Sequence, residues 1–319
     1  MNKLRLIFVS LMTVAFAVNA SAQTAAEVTA KFSEAAQMYN AKDYDGAIPL
    51  FEETISLAEE SDADVEETLQ NAQKFLITSY MNGGIADAKN KDYDQALDRF
   101  TKASELSELT GSLTKTRADA MIGNVYLAKG SSLAKDDPAA AADEFYKAYE
   151  LNDRNTKAAL YAAQSYSEAG NSEKAEEIYK EVIELGKTHS KYEEAAEQAK
   201  NAYTNTYLVA ASTAAAEKDY AAVTANIEKI TEVDPENAQA LLLQVQAANT
   251  QGKVDDVIKY GDAAVAVQTD GVAKSNLNLM IGAAYQTKDN KTKAIEYLQK
   301  VTEGPGVENA KKALEGLTK

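Results

Sequence analysis

Between residues 159 and 182 the small and apolar residues fall at helical intervals. Ala159, Ala162, Ala163 and Tyr166 form one set, and Ala175, Ile178, Tyr179 and Val182 the next. Spacings of three and four place each set on one face of a helix. Gly170 and Asn171 between them supply a turn. The pattern predicts an antiparallel pair, helix A then helix B. Small residues let the two helices approach closely, and aromatic ones fill the gap to the next pair. The same skeleton returns at 282–298.

Followed along the chain, the helix-B small position recurs at Ala47, Ala96, Ala141, Ala175, Val223, Val257 and Ala294, which predicts seven units. Two steps are 34 residues, the last is 37, and the others are 49, 45 and 48. In the second unit Leu76, Ile77, Tyr80 and Gly84 sit at helix-A positions, with about seven residues, or two turns, added before Lys91. Whole added turns preserve a buried face. The third unit, with Ile122, Gly123, Tyr126 and Gly130, continues through Ser131 to Lys135 before Asp136-Asp137-Pro138. In the fifth, Gly186 reads as a helix stop and Ser190 to Glu193 as a capping box, opening a helix from about Lys191 to Glu217.

The phrase Lys-Asp-Tyr occurs at Lys42, Lys91 and Lys218, each time at the A–B turn. Its aspartate is suited to cap helix B, and its tyrosine to cover the first turn. Pro49 stands early in a helix B, where a missing donor is tolerable. Gly304-Pro305-Gly306 breaks the chain, and residues 307–317 read as a capping helix with Ala310, Ala313, Leu314 and Leu317 inward.

This layout resembles the tetratricopeptide repeat family, whose antiparallel helix pairs recur about every 34 residues. The family's helix-A tryptophan is absent, and its unit-closing proline has a clear match only at Pro235. The resemblance implies an all-α fold, an α-solenoid of antiparallel helix pairs running as one superhelix over residues 23–319. It also implies a concave groove lined by helices A. Carried over position by position, the groove residues are Lys157, Leu160 and Gln164, then Asn205, Leu208 and Ser212. Gln239, Leu242 and Gln246 follow, then Asn276, Leu279 and Gln286. One leucine recurs per unit among amides and hydroxyls. The clamp of two lysines and two asparagines with which some members hold a carboxylate is not present at these positions. Neutral amides and spaced leucines suit an extended peptide or a partner helix.

Residues 1–22 differ from the rest. Lys3 and Arg5 precede an apolar run from Leu6 to Val18, and Ala20 and Ala22 lead to Gln23. This is the layout of a signal peptide cleaved before Gln23, which predicts export, to the periplasm in a diderm bacterium and otherwise to the medium. After cleavage no segment is long and apolar enough to insert in a membrane. The chain has no cysteine, so a disulfide framework and thiolate chemistry are excluded. Its formal charge is −16, or −18 once Lys3 and Arg5 are removed, which disfavours nucleic acid and anionic lipid.

Catalytic and metal sites are not predicted. The lone His189 has no second histidine to work with. The acidic run Glu59, Glu60, Asp62, Asp64, Glu66 and Glu67 lacks EF-hand spacing, and Asp64 followed by Glu67 fits a helix start. Glu176-Glu177 and Glu193-Glu194 read as solvated faces. No phosphate loop, nucleophile elbow or cofactor motif is found. The sequence therefore reads as a non-enzymatic, exported scaffold for protein partners. Glycan binding is the alternative, disfavoured by the lack of tryptophan and by tyrosines at core positions, and a hydrolase comes third.

Overall fold

The computed structural model describes residues 25–61 and 64–318, so the expected leader and Asp62 lie outside the described residues. Among the described residues there are fifteen α-helices, one 3-10 turn and no strand. The described residues fall into two compact units, the first ending at Asn171 and the second starting at Ser172.

The first unit holds α1 (Ala25–Asn40), α2 (Tyr44–Glu60), α3 (Glu66–Asn90), α4 (Tyr93–Thr110), α5 (Thr114–Leu133), α6 (Pro138–Glu150) and α7 (Thr156–Glu168). Each helix packs on the next, and the A helices α1, α3 and α5 also meet in order. Its core alternates alanines with rings: Ala35, Ala47, Ala72, Ala96 and Ala103 are fully buried, as are Phe51 and Phe100. Phe32, Phe51 and Phe75 form a cluster with centroids 5.7 to 5.9 Å apart. Burying a side chain of the Phe51 kind is worth about 2–3 kcal/mol.

The second unit holds α8 (Ser172–Thr188), the 3-10 turn Ser190–Tyr192, α9 (Glu193–Glu217), α10 (Tyr220–Val233), α11 (Ala238–Thr250), α12 (Val254–Val267), α13 (Gly271–Thr287), α14 (Lys291–Leu298) and α15 (Val307–Thr318). Here too the A helices α9, α11 and α13 meet in order. Val223, Ile227 and Ile230 fill one core, and Val245, Leu277 and Ile281 another. The helix α15 closes the end, with Ala310 buried against Leu298 and Val301.

Both units are all-α stacks of antiparallel helix pairs, the fold class expected. The added turns lie where the spacing placed them, since α3 and α9 each run 25 residues.

Six of the seven A–B turns follow one grammar, the exception being the turn from Leu133 to Pro138, which has no residue at positive φ. Lys42, Lys91, Gly170, Lys218, Gly252 and Asp289 each adopt a positive φ, between 58 and 82°. In each case the following amide reaches back to a carbonyl five residues earlier, as from Asp92 to Asp87 at 2.9 Å and from Asn171 to Tyr166 at 2.8 Å. That bond closes helix A. The next side chain then opens helix B: Asp43 accepts from the Gly46 amide, and Asp219 from that of Ala222.

Several local expectations are corrected. Asp92 makes no such capping bond, so the second Lys-Asp-Tyr keeps the turn without the cap. Helix α3 starts at Glu66 with Val65 at its cap and no side-chain bond there, so Asp64 does not cap it. Ser190 to Glu193 forms no capping box, because Ser190 is spent in the 3-10 turn and Tyr192 takes the cap position. Gly186 does not stop α8, which continues to Thr188. A Cβ at Gly186 would collide with that of Ala196, so this glycine lets α8 and α9 touch. Pro49 lies beyond the first turn of α2, whose ladder starts with Ala47 bonded to Asp43, so the Asp45 carbonyl loses its helical donor.

Candidate interaction surface

Helices A carry the predicted surface, so the side on which each residue emerges decides whether it is a contact or a core position. On α7, Lys157 and Gln164 are exposed and Leu160 is half-buried. Lys157 lies over the ring of Tyr161, 5.6 Å from its centroid, and Gln164 donates to Glu168 at 2.9 Å. Tyr161 is itself 40% exposed.

In the second unit, Asn205, Ser212, Gln239, Gln246 and Gln286 are exposed, while Leu208, Leu242, Asn276 and Leu279 are half-buried. The spacing of Asn205 and Ser212, like that of Gln239 and Gln246, is two turns, so each pair shares one stripe. Leu208 packs on the cluster around Val223 and Ile227, and Leu242 on that around Val245 and Leu277. Leu279 packs on the terminal cluster of Leu298, Val301 and Ala310, and a Cβ at Gly306 would stand 2.9 Å from it. Amides and hydroxyls therefore face outward, and the leucines serve mainly the packing beneath them. The exposed aliphatic on α9 is Val209, at 60%, one residue beyond the leucine that the sequence pointed to.

Sequence reasoning missed a polar cluster behind this surface. Glu176 on α8 is no solvated carboxylate, its side chain being only 19% exposed. It accepts from Lys229 at 2.5 Å, from Lys180 at 3.0 Å, from Tyr203 at 3.4 Å and from the Tyr207 hydroxyl. Burial pushes its pKa up, but the bonds from Lys229, Tyr207 and Lys180 outweigh that and bring it down to about 2. Glu232 and Glu176 hold Lys180 above its ordinary value, and burial takes Tyr203 up to about 12. Four donors fill the acceptor sites of this carboxylate. Its bonds tie α8, α9 and α10 together.

Among the described residues no cluster of histidine, cysteine or carboxylate side chains has the makings of a metal site, and no helix is long and apolar enough to cross a membrane. His189 is exposed, its Nδ1 2.9 Å from Thr188 Oγ1.

Within each unit, helix pairs carry small residues at their crossings and the A helices meet in order. By fold this is an all-α stack of helix pairs, an arrangement similar to that of tetratricopeptide repeats. No family model matches its sequence, and no curated protein does. Among solved structures, a complex of the yeast Sti1 TPR2AB domain with pHSP90 is 16% identical, covering 92% of this chain and 96% of that one, with a TM-score of 0.32. The TPR domain of P58(IPK) is 15% identical over 91% and 79%, with a TM-score of 0.31. A tetratricopeptide repeat protein of Parabacteroides merdae is 12% identical over 92% and 99%, with a TM-score of 0.29. Overlap this low speaks for neither partner nor site in this repeat chain.

Proposed function

We propose that this chain is a non-catalytic scaffold, exported to the cell envelope, that binds protein segments along its A helices. The observation that carries the reading is the exposed row of Asn205, Val209, Ser212, Gln239 and Gln246 on helices that meet in order. Paired repeats bury their own cores and leave that side free to hold an extended partner. Export rests on the leader pattern of residues 1–22 and the small residues before Gln23.

The test uses residues 23–319 as bait in an envelope extract, beside a variant carrying Val209→Glu and Gln246→Glu. The exposed positions chosen leave the core intact, which circular dichroism checks. Partners held by the natural sequence should fall about tenfold or more with the variant, as when a charge is buried unpaired. Equal recovery by both removes the A-helix surface from the reading. Edman sequencing of the exported protein should begin at Gln23, and an intact Met1 would remove the export step.

A further inference from the structure

Charge is distributed unevenly in the second unit. Residues 201–216 of α9, 238–251 through α11 and 271–287 of α13 contain a single charged residue, Lys274. At the 26% charged content of the chain, these stretches would hold about a dozen. Helix α8 alone carries Glu173, Lys174, Glu176, Glu177, Lys180, Glu181, Glu184 and Lys187. The A position alone is not responsible, since α5 holds Lys115, Arg117, Asp119 and Lys129, although the interior of α3, residues 68–86, holds only Lys74. The charges of α9 lie at its ends, in Glu193, Glu194, Glu197, Lys200 and Glu217.

Burial does not explain the lack of charge, because Asn205, Val209, Ser212, Gln239, Gln246, Asn249 and Gln286 are exposed. A face that stays in water accepts charges freely, and in an acidic chain they keep it soluble. A face that is covered loses them, because trapping an unpaired ion costs several kcal/mol, and interface centres are depleted of charge accordingly.

Resting on the scaffold reading above, we infer that α9, α11 and α13 bind an uncharged, extended polypeptide segment. Each Asn and Gln offers both donors and acceptors, the set that a peptide bond requires. Val209 and Val272, 60% and 38% exposed, offer shallow aliphatic contacts. A glycan would require open aromatic faces, and here Tyr203 is buried, Tyr207 is held by Glu176 and Lys229, and Tyr285 stacks on Tyr297 at 5.5 Å. Three helices at packing distance span the length of roughly eight extended residues.

An array of synthetic ten-residue peptides tests this with residues 23–319 of the protein. One set is built from Ser, Thr, Asn, Gln, Ala and Val, and matched sets place lysine or glutamate at the centre. Uncharged peptides should bind, a central charge of either sign should weaken binding about tenfold, and the Kd should change less than about twofold between roughly 50 and 500 mM NaCl. Gln246→Lys and Gln246→Glu should both weaken binding. Preference for charged peptides, with salt-sensitive affinity, overturns the neutral-partner inference and leaves the scaffold reading standing. Retention of neutral polysaccharide with no peptide bound at all overturns both.

Discussion

The Tyr166 hydroxyl donates a 2.8 Å hydrogen bond to Asp143, tying α7 to the preceding helix α6. Tyr80 makes the corresponding bond from α3 to Glu52 on α2, and Tyr207 from α9 to Glu176 on α8. A helix-A tyrosine bonded to a carboxylate on the helix before it is thus a recurrent link between successive helices. Removing the hydroxyl with Tyr166→Phe keeps the ring packed and lets Asp143 return to water. Urea unfolding should show a loss of about 1 kcal/mol, the net worth of one such bond. A loss above about 3 kcal/mol would mean that the ring itself had shifted.

The left-handed turns make a prediction of opposite signs. Lys91 and Lys218 are exposed side chains held at φ of 68 and 62°. Either one changed to glycine should raise stability by about 0.5–1 kcal/mol, because glycine takes this conformation without a Cβ clash. Gly170→Ala should lower it by about 1 kcal/mol. A Cβ there meets nothing within 4 Å, so the φ of 82° is the sole cause. Thermal melts of the three variants decide it, and equal shifts for all three would disprove the assignment.

A buried cation gives a third test. Arg99 is 9% exposed, pairs with Asp45 and Asp87, and passes over Gly83, where a Cβ would strike its guanidinium. In the next pair, Lys129 stands three residues after Tyr126, as Gly83 does after Tyr80, and Glu144 takes the place of Arg99. Lys129 meets Asp94 at 2.8 Å and Glu144 at 3.4 Å. The two pairs thus solve one packing problem with the charges exchanged. Arg99→Ala strands Asp87 in the interior and should cost about 3–5 kcal/mol. Gly83→Lys combined with Arg99→Glu should recover at least half of that in chemical denaturation, and no recovery would sink the equivalence.

The acid limb of stability should report Glu176. Its folded-state pKa, about 2, lies below its ordinary value of 4.5, so between these values the unfolded chain binds more protons. The stability it contributes is whole above about pH 4.5 and drains away as pH falls toward 2, by roughly 2–3 kcal/mol in all. Glu176→Gln should flatten this part of the curve, and an unchanged slope would show that other carboxylates set it.

The helix pairs were legible because their signal is local. Ala159, Ala162, Ala163 and Tyr166 declare one face of one helix, whatever packs on it. Glu176 was not legible, because its donors come from Lys180, Tyr203, Tyr207 and Lys229 on three helices, and no spacing along the chain announces that meeting. Val209 was missed in favour of Leu208 for a different reason. One residue turns a helix by about 100°, and only the Val223–Ile227 packing fixes which of the two neighbours lies underneath. Gly186 misled because a glycine near a helix end reads as a stop, when close contact with Ala196 is what demands it.

Within each unit a helix meets chiefly its immediate neighbours, and an A helix also the next A helix. No contact of that kind waits for a distant part of the chain, so native structure can accumulate in order of appearance. A chain emerging end first, from a ribosome or through a narrow pore, would find the partners of each new helix already in place. Assembly of this protein should therefore proceed directionally and with little need to shield long unfinished segments.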